Sequence, residues 1–276
     1  MNKQSVSSKR GWTVVLAGTG INLALGILYT WSIFKGAIAD SIAAGGVGAF
    51  AWDKASINDP YATACLMFAL AMILAGKVLA LVDGDLVLLN SDTLVTPGWL
   101  EGLARCLASD TSIATATPWT NNGEIASLPR FCENNPVPGD LVSVAGAVGA
   151  AGEASYPGLP TAVGFCMAIS RRAIERIGRF DEATFGRGYG EENDFCLRAI
   201  AAGMRNVLCD DVYVAHVGGR SFGPLGLRPN DDSMQRLLAR HPDYLERVQA
   251  FIAADPLAAR RGAVLAECER RGVRLG

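Results

Sequence analysis

The chain has 276 residues, 19% of them charged, and a formal net charge of −2, a balance that offers no basic field to a nucleic-acid partner. Half of the residues are apolar and mean hydropathy is +0.23; the excess is concentrated in residues 1–80, and the remainder has ordinary globular composition. The seven cysteines are odd in number and have no CxxC spacing, so they read as reduced thiols filling cores.

Residues 12–34 contain no charged side chain. As one helix they would measure ~35 Å, enough to cross the ~30 Å hydrocarbon core of a membrane. Residues 61–76 form a second uncharged run, which reaches span length by carrying Lys77 to the interface, where its stem snorkels. Lys3, Lys9 and Arg10 precede the first run and put the N-terminus in the cytoplasm. A cleaved signal peptide and a buried hairpin are the competing readings, but the first run is long for a signal peptide and lacks an Ala-x-Ala exit. The expectation is two transmembrane α-helices in residues 1–80, then an α/β domain over residues 85–276.

In that domain, residues 85–90 read as a short buried strand. Pro97 opens a helix over 98–107, and residues 112–117 form a strand ending at Pro118, followed by the polar loop Thr120-Asn121-Asn122-Gly123. Residues 131–157, rich in Pro, Gly and Ala, read as a loop excursion. A strand over 161–170 leads into a helix over 171–178, and a helix over 190–202 carries acidic residues in its first turn. A strand over 207–217 follows, and the pattern is helical from Ser233 on, with Pro242 and Pro256 opening successive helices.

Three places carry candidate chemistry. Asn90-Ser91-Asp92 follows a strand, where open α/β sheets hold ligands; Asp92 suits a divalent cation, or simply the turn before Thr93. Glu191 and Glu192 open a helix, which dipole complementation alone would explain, and Asp194 has the spacing of an ion pair with Arg198. His216 leaves a strand just before Gly218 and Gly219, which allow a ligand close to the backbone, although a lone histidine is more often a satisfied core residue. Arg220 and Ser221 suit phosphate oxygens. Gly164, in Thr161-Ala-Val-Gly-Phe-Cys166, marks either room for a ring or a strand bulge.

Together, Leu-Leu-Asn-Ser-Asp-Thr at 88–93, Gly-Tyr-Gly-Glu-Glu-Asn-Asp at 188–194 and Ala-His-Val-Gly-Gly-Arg at 215–220 resemble a family 2 glycosyltransferase of the GT-A (Rossmann-like) fold. The resemblance covers residues 85–276 and lacks the family's N-terminal nucleotide-binding part, with its Val-Pro-x-Tyr-Asn-like segment; an incomplete GT-A domain is expected. It implies that Asn90 and Asp92 stand at the family's DxD motif, Asn replacing the first Asp, and that Asp92 binds Mg²⁺ or Mn²⁺. His216 then reaches the metal or the diphosphate, and Arg220 the phosphates. Glu192 becomes the general base, Glu191 orients the acceptor, and Gly164, Phe165 and Asp194 border the acceptor. The implied reaction moves a sugar from a nucleotide-sugar donor to a carbohydrate or glycolipid hydroxyl, with inversion. Residues 10–77 are similar to the first two helices of oxalate/formate-antiporter-like carriers of the major facilitator superfamily. The implied location is the membrane, with the C-terminal domain in the bacterial cytoplasm. The alternatives are a transport fragment with a passenger domain and a non-catalytic sugar-binding module.

Overall fold

The computed structural model describes residues 35–46, 48–49, 52–53, 56–63, 66–67, 83–185, 190–218 and 231–275. The chain divides between Val82 and Asp83 into two units.

In the first unit, helical backbone at 35–44 stops at the glycine pair 45–46; a 3₁₀ turn at Ser56–Asn58 leads into helical backbone at 59–63, and 66–67 are again helical. Among the described residues no helix is long and apolar enough to cross a membrane. This corrects the expectation of two transmembrane helices, and the membrane location that rested on them. An uncharged run fixes the length of apolar sequence but not the length of helix. The run at 12–34 lies outside the described residues, as does most of 61–80.

The second unit is α/β. Strand β1 (Leu86–Leu89) is apolar throughout, and β2 (Thr93–Leu94) follows a tight turn. Helix α1 (Trp99–Ser109) precedes β3 (Ile113–Trp119), which is buried at every residue. Helix α2 (Leu141–Ala150) interrupts the segment that composition gave as a loop; Asp140 caps it, its Oδ1 accepting from Ser143 N at 3.0 Å. Strands β4 (Gly158–Leu159) and β5 (Cys166–Ile169) come next. Helices α3 (Arg171–Ile177), α4 (Glu182–Phe185) and α5 (Glu191–Ala201) then lead to β6 (Arg205–Tyr213) and β7 (Ala215–His216). Helices α6 (Asp231–Arg240), α7 (Tyr244–Ala254) and α8 (Ala258–Arg271) end the unit.

The main sheet has the order β1-β5-β3-β6-β4, and β2 pairs with β7 in a second, two-stranded sheet. Strand β5 is antiparallel to both β1 and β3, whereas β3 and β6 are parallel. Strands β1, β3 and β6 therefore share one direction. Their C-terminal ends, together with the N-terminal end of β5, lie along one edge of the sheet, where loops can place ligand groups. Helices cover both faces. Along β6, Val207 and Cys209 join the core under α1 with Leu103 and Leu107, while Leu208 joins Val144, Val148 and Val264 of α2 and α8. Helix α1 packs so closely that a Cβ on Gly102 would lie 2.2 Å from Val212 Cγ2. Strand β1 occupies the sheet's end and is only partly covered: Leu88 and Leu89 are 39% and 42% exposed.

Candidate active site

At the shared edge the loop after β1 is fixed by backbone. Asn90 N donates to Phe165 O at 2.8 Å, and Thr93 Oγ1 donates to Asn90 O at 2.8 Å. Thr93 then pairs with His216 across the small sheet, and Val217 N donates to Asp92 O at 2.9 Å. This pairing brings His216 Nε2 to 3.5 Å from Asp92 Oδ1, with the Asp92 side chain 6% exposed.

The histidine's tautomer follows from its other nitrogen. His216 Nδ1 lies 2.7 Å from Asn122 O, and a carbonyl only accepts, so Nδ1 carries the proton. A neutral His216 therefore presents the Nε2 lone pair toward Asp92, whose buried Oδ1 has no hydrogen-bond partner. Two lone-pair-bearing atoms face each other with no donor between them. A cation satisfies that arrangement, either a proton on His216 or a metal ion. The ring of Phe165 stacks on the imidazole at 5.3 Å and 21° and holds its plane.

The loop after β3 completes the mount. Asn121 Oδ1 accepts from His216 N at 2.9 Å, and Asn121 Nδ2 donates to His216 O at 3.0 Å and to Asn135 O at 2.9 Å. Gly218 sits at φ +74, a backbone that favours glycine, and a Cβ there would lie 2.2 Å from Asn122 Nδ2 and force that side chain to move. Sequence reasoning read 120–123 as a polar loop, and the resemblance implied that residues 130–136 line the acceptor side; neither reading gave Asn121, Asn122 or Asn135 the task of holding His216. The available signal was the run of polar residues at the end of an otherwise apolar strand.

On the other side of Phe165, Gly164 borders a cavity of about 240 Å³ that Glu192 also lines. Helix α5 starts after Gly190, at φ +105, and Glu192 in its first turn lies against Gly164, where a Cβ would be 3.7 Å from its Oε1. Burial, followed by the charge of Glu191, holds the Glu192 carboxyl above its ordinary range. Met234, Leu237 and Val248 of α6 and α7 give the same cavity an apolar wall. Glu191 does not line the cavity, and its Oε2 is buried without a hydrogen-bond partner.

The expected site residues thus fall into two adjoining groups, Asn90, Asp92, Phe165 and His216 in one and Gly164 and Glu192 in the other, joined by the peptide between Gly164 and Phe165. Asp194 stands apart. It is fully buried and accepts from Arg198 Nε at 2.7 Å, Arg240 Nη1 at 3.1 Å and His241 Nε2 at 2.9 Å. Burial pushes its carboxyl up, but the bonds from His241, Arg198 and Arg240 outweigh burial and hold it below the ordinary range. Its partners bind α5 to α6, which is a structural role. Arg220 lies outside the described residues. No group of three or more His, Cys, Asp or Glu among the described residues is placed to hold a metal by itself. An ion on Asp92 and His216 would need oxygens from a bound phosphate and water, the usual state of Mg²⁺. No protein-family model matches the chain, and no curated protein matches it significantly.

Proposed function

We propose that the second unit is a metal-dependent, inverting glycosyltransferase that moves a sugar from a nucleotide-sugar donor to a hydroxyl acceptor. The observation that carries this reading is the partnerless, buried Asp92 Oδ1 facing Nε2 of His216, whose Nδ1 is engaged by Asn122 O, at the C-terminal edge of the sheet. Those residues fit a divalent cation. When bound, Mg²⁺ or Mn²⁺ would neutralise the diphosphate that leaves the sugar. Phe165 and Asn121 orient His216, so that one nitrogen faces Asp92 and the other stays bonded to Asn122 O.

Glu192 supplies the second half of the chemistry. Its raised proton affinity suits a base that takes the acceptor's hydroxyl proton as the oxygen attacks. A bond forms from that oxygen to the anomeric carbon, and the bond to the diphosphate oxygen breaks on the opposite side of the carbon, hence inversion. The proton stays on Glu192. The cavity beside Gly164 offers an apolar wall to a sugar face.

The test is release of nucleoside diphosphate from UDP- and dTDP-sugars in the presence of Mn²⁺. The reading expects metal-dependent release that falls about 10²-fold or more in Glu192→Gln. Release that survives both chelation and Glu192→Gln would overturn it.

A further inference from the structure

Asn193 follows Glu192 in the first turn of α5 and lines the same cavity. Its Oδ1 accepts from Thr161 Oγ1 at 2.8 Å and from Tyr244 OH at 3.2 Å. The first donor comes from the segment ahead of β5 and the second from the start of α7, so two separate elements fix one amide. Burial pushes the Tyr244 phenol up to about 12, which keeps it protonated and able to donate. With Oδ1 facing two hydroxyls, Nδ2 is the end of the amide left over. The two hydroxyls use only the oxygen of the amide, a task a carboxylate could also perform.

Side by side, Glu192 and Asn193 present complementary groups to one cavity: a carboxylate, which only accepts, and an amide NH₂, which only donates. A single hydroxyl can satisfy one of them. Two hydroxyls on adjacent carbons satisfy both, the first donating its proton to the carboxylate and the second accepting from the amide. The ring that carries them can rest its C–H face on Met234, Leu237 and Val248.

We propose that Asn193 is a specificity-determining residue that selects an acceptor with a vicinal diol, gripping the hydroxyl next to the one Glu192 deprotonates. The assignment rests on the transferase reading for the role of Glu192, but the diol contact itself does not need turnover.

The test uses the full chain, ¹⁵N-labelled, titrated with trans-1,2-cyclohexanediol, cis-1,2-cyclohexanediol and cyclohexanol. The Asn193 side-chain NH₂ signals are assigned by their loss in Asn193→Asp. One or both diols should shift those signals, and cyclohexanol should not. In Asn193→Ala, binding of the shifting diol should weaken about 3- to 10-fold, the worth of one neutral hydrogen bond, with cyclohexanol unchanged. The ratio of diol to mono-alcohol affinity is the decisive readout, because a merely structural role would weaken both ligands alike. Equal weakening, a diol that binds in the cavity without moving the Asn193 signals, or no diol binding would each overturn the proposal. If Asn193→Ala fails to fold, the wild-type shift comparison decides alone. Failure of the transferase reading is separate: it would appear as loss of metal-dependent diphosphate release while diol selection persisted.

Discussion

His216 faces Asp92 across 3.5 Å with its only assured proton on the far side of the ring, held by Asn122 O. Everything about the mount preserves that relation. Asn121 bonds both backbone groups of His216, Phe165 stacks beneath the ring, and Gly218 lets the two loops interlock. His216 keeps Nε2 directed at a buried carboxylate oxygen that has no hydrogen-bond partner.

Gly218→Ala should disturb that mount directly. A Cβ would fall 2.2 Å from Asn122 Nδ2 at a residue with φ +74, so both the packing and the backbone oppose it. Chemical denaturation should show a loss of about 1–3 kcal/mol, typical of overpacking. Gly164→Ala is the control: its Cβ would meet only Glu192, at ordinary contact distance of 3.7 Å, and stability should change little.

Glu192 gives a pH signature. Its folded-state proton affinity is raised above the ordinary value of 4.5 by burial and by Glu191. The folded state therefore holds the proton longer than the unfolded state does. Its contribution is fully present below the unfolded value and is lost as pH rises through the raised folded value. Glu192→Gln, neutral at every pH, should be more stable than the parent at neutral pH, and the gap should close in acid. Melting temperatures measured from pH ~4 to ~8 check this. Diphosphate release by the parent should rise over the same window, since only the ionised carboxylate accepts a proton.

Asp194 predicts the opposite slope. Its carboxyl is held below 3.8 by His241, Arg198 and Arg240 despite complete burial. That stabilisation is present above the unfolded value and is lost as pH falls through the lower, folded value. Asp194→Asn removes the carboxylate paired with Arg198, while Arg240 keeps Asp181, and should cost roughly 3 kcal/mol in denaturant melts. The diol-to-alcohol binding ratio at Asn193 should not change in the fraction that remains folded.

How much of this was legible before any coordinates depends on the range of the interaction. Helices α1, α3 and α5 were readable from local spacing and from the acidic first turn at 191–194. Helix α2 was not, because Leu-Val-Ser-Val-Ala-Gly-Ala-Val-Gly-Ala has little amphipathic pattern; it forms by burying Val144, Ala147 and Val148 against β6 and α8. Strand β5 is shorter than its β-forming residues suggested, since the chain around Gly164 leaves the ladder to meet Glu192. At the site, Asp92, Glu192 and His216 stood out by type and position. The amides that hold them did not, because Asn121 acts on His216, far along the chain. Asp194 was legible as a partner of Arg198, but Arg240 and His241 come from a helix whose packing no local pattern announces. Hydropathy before residue 83 reports only what a segment is made of; among the described residues no helix there is long and apolar enough to cross a membrane.

The central claim is that Asp92 and His216 hold a divalent cation together with a diphosphate. Adding substoichiometric Mn²⁺ with pyrophosphate to the full chain, and following side-chain NMR signals, tests it most directly. The account predicts selective paramagnetic broadening of the His216 and Phe165 ring signals, reversed by excess Mg²⁺ and abolished in Asp92→Asn. Broadening that spares those two rings, or that persists unchanged in Asp92→Asn, would contradict it.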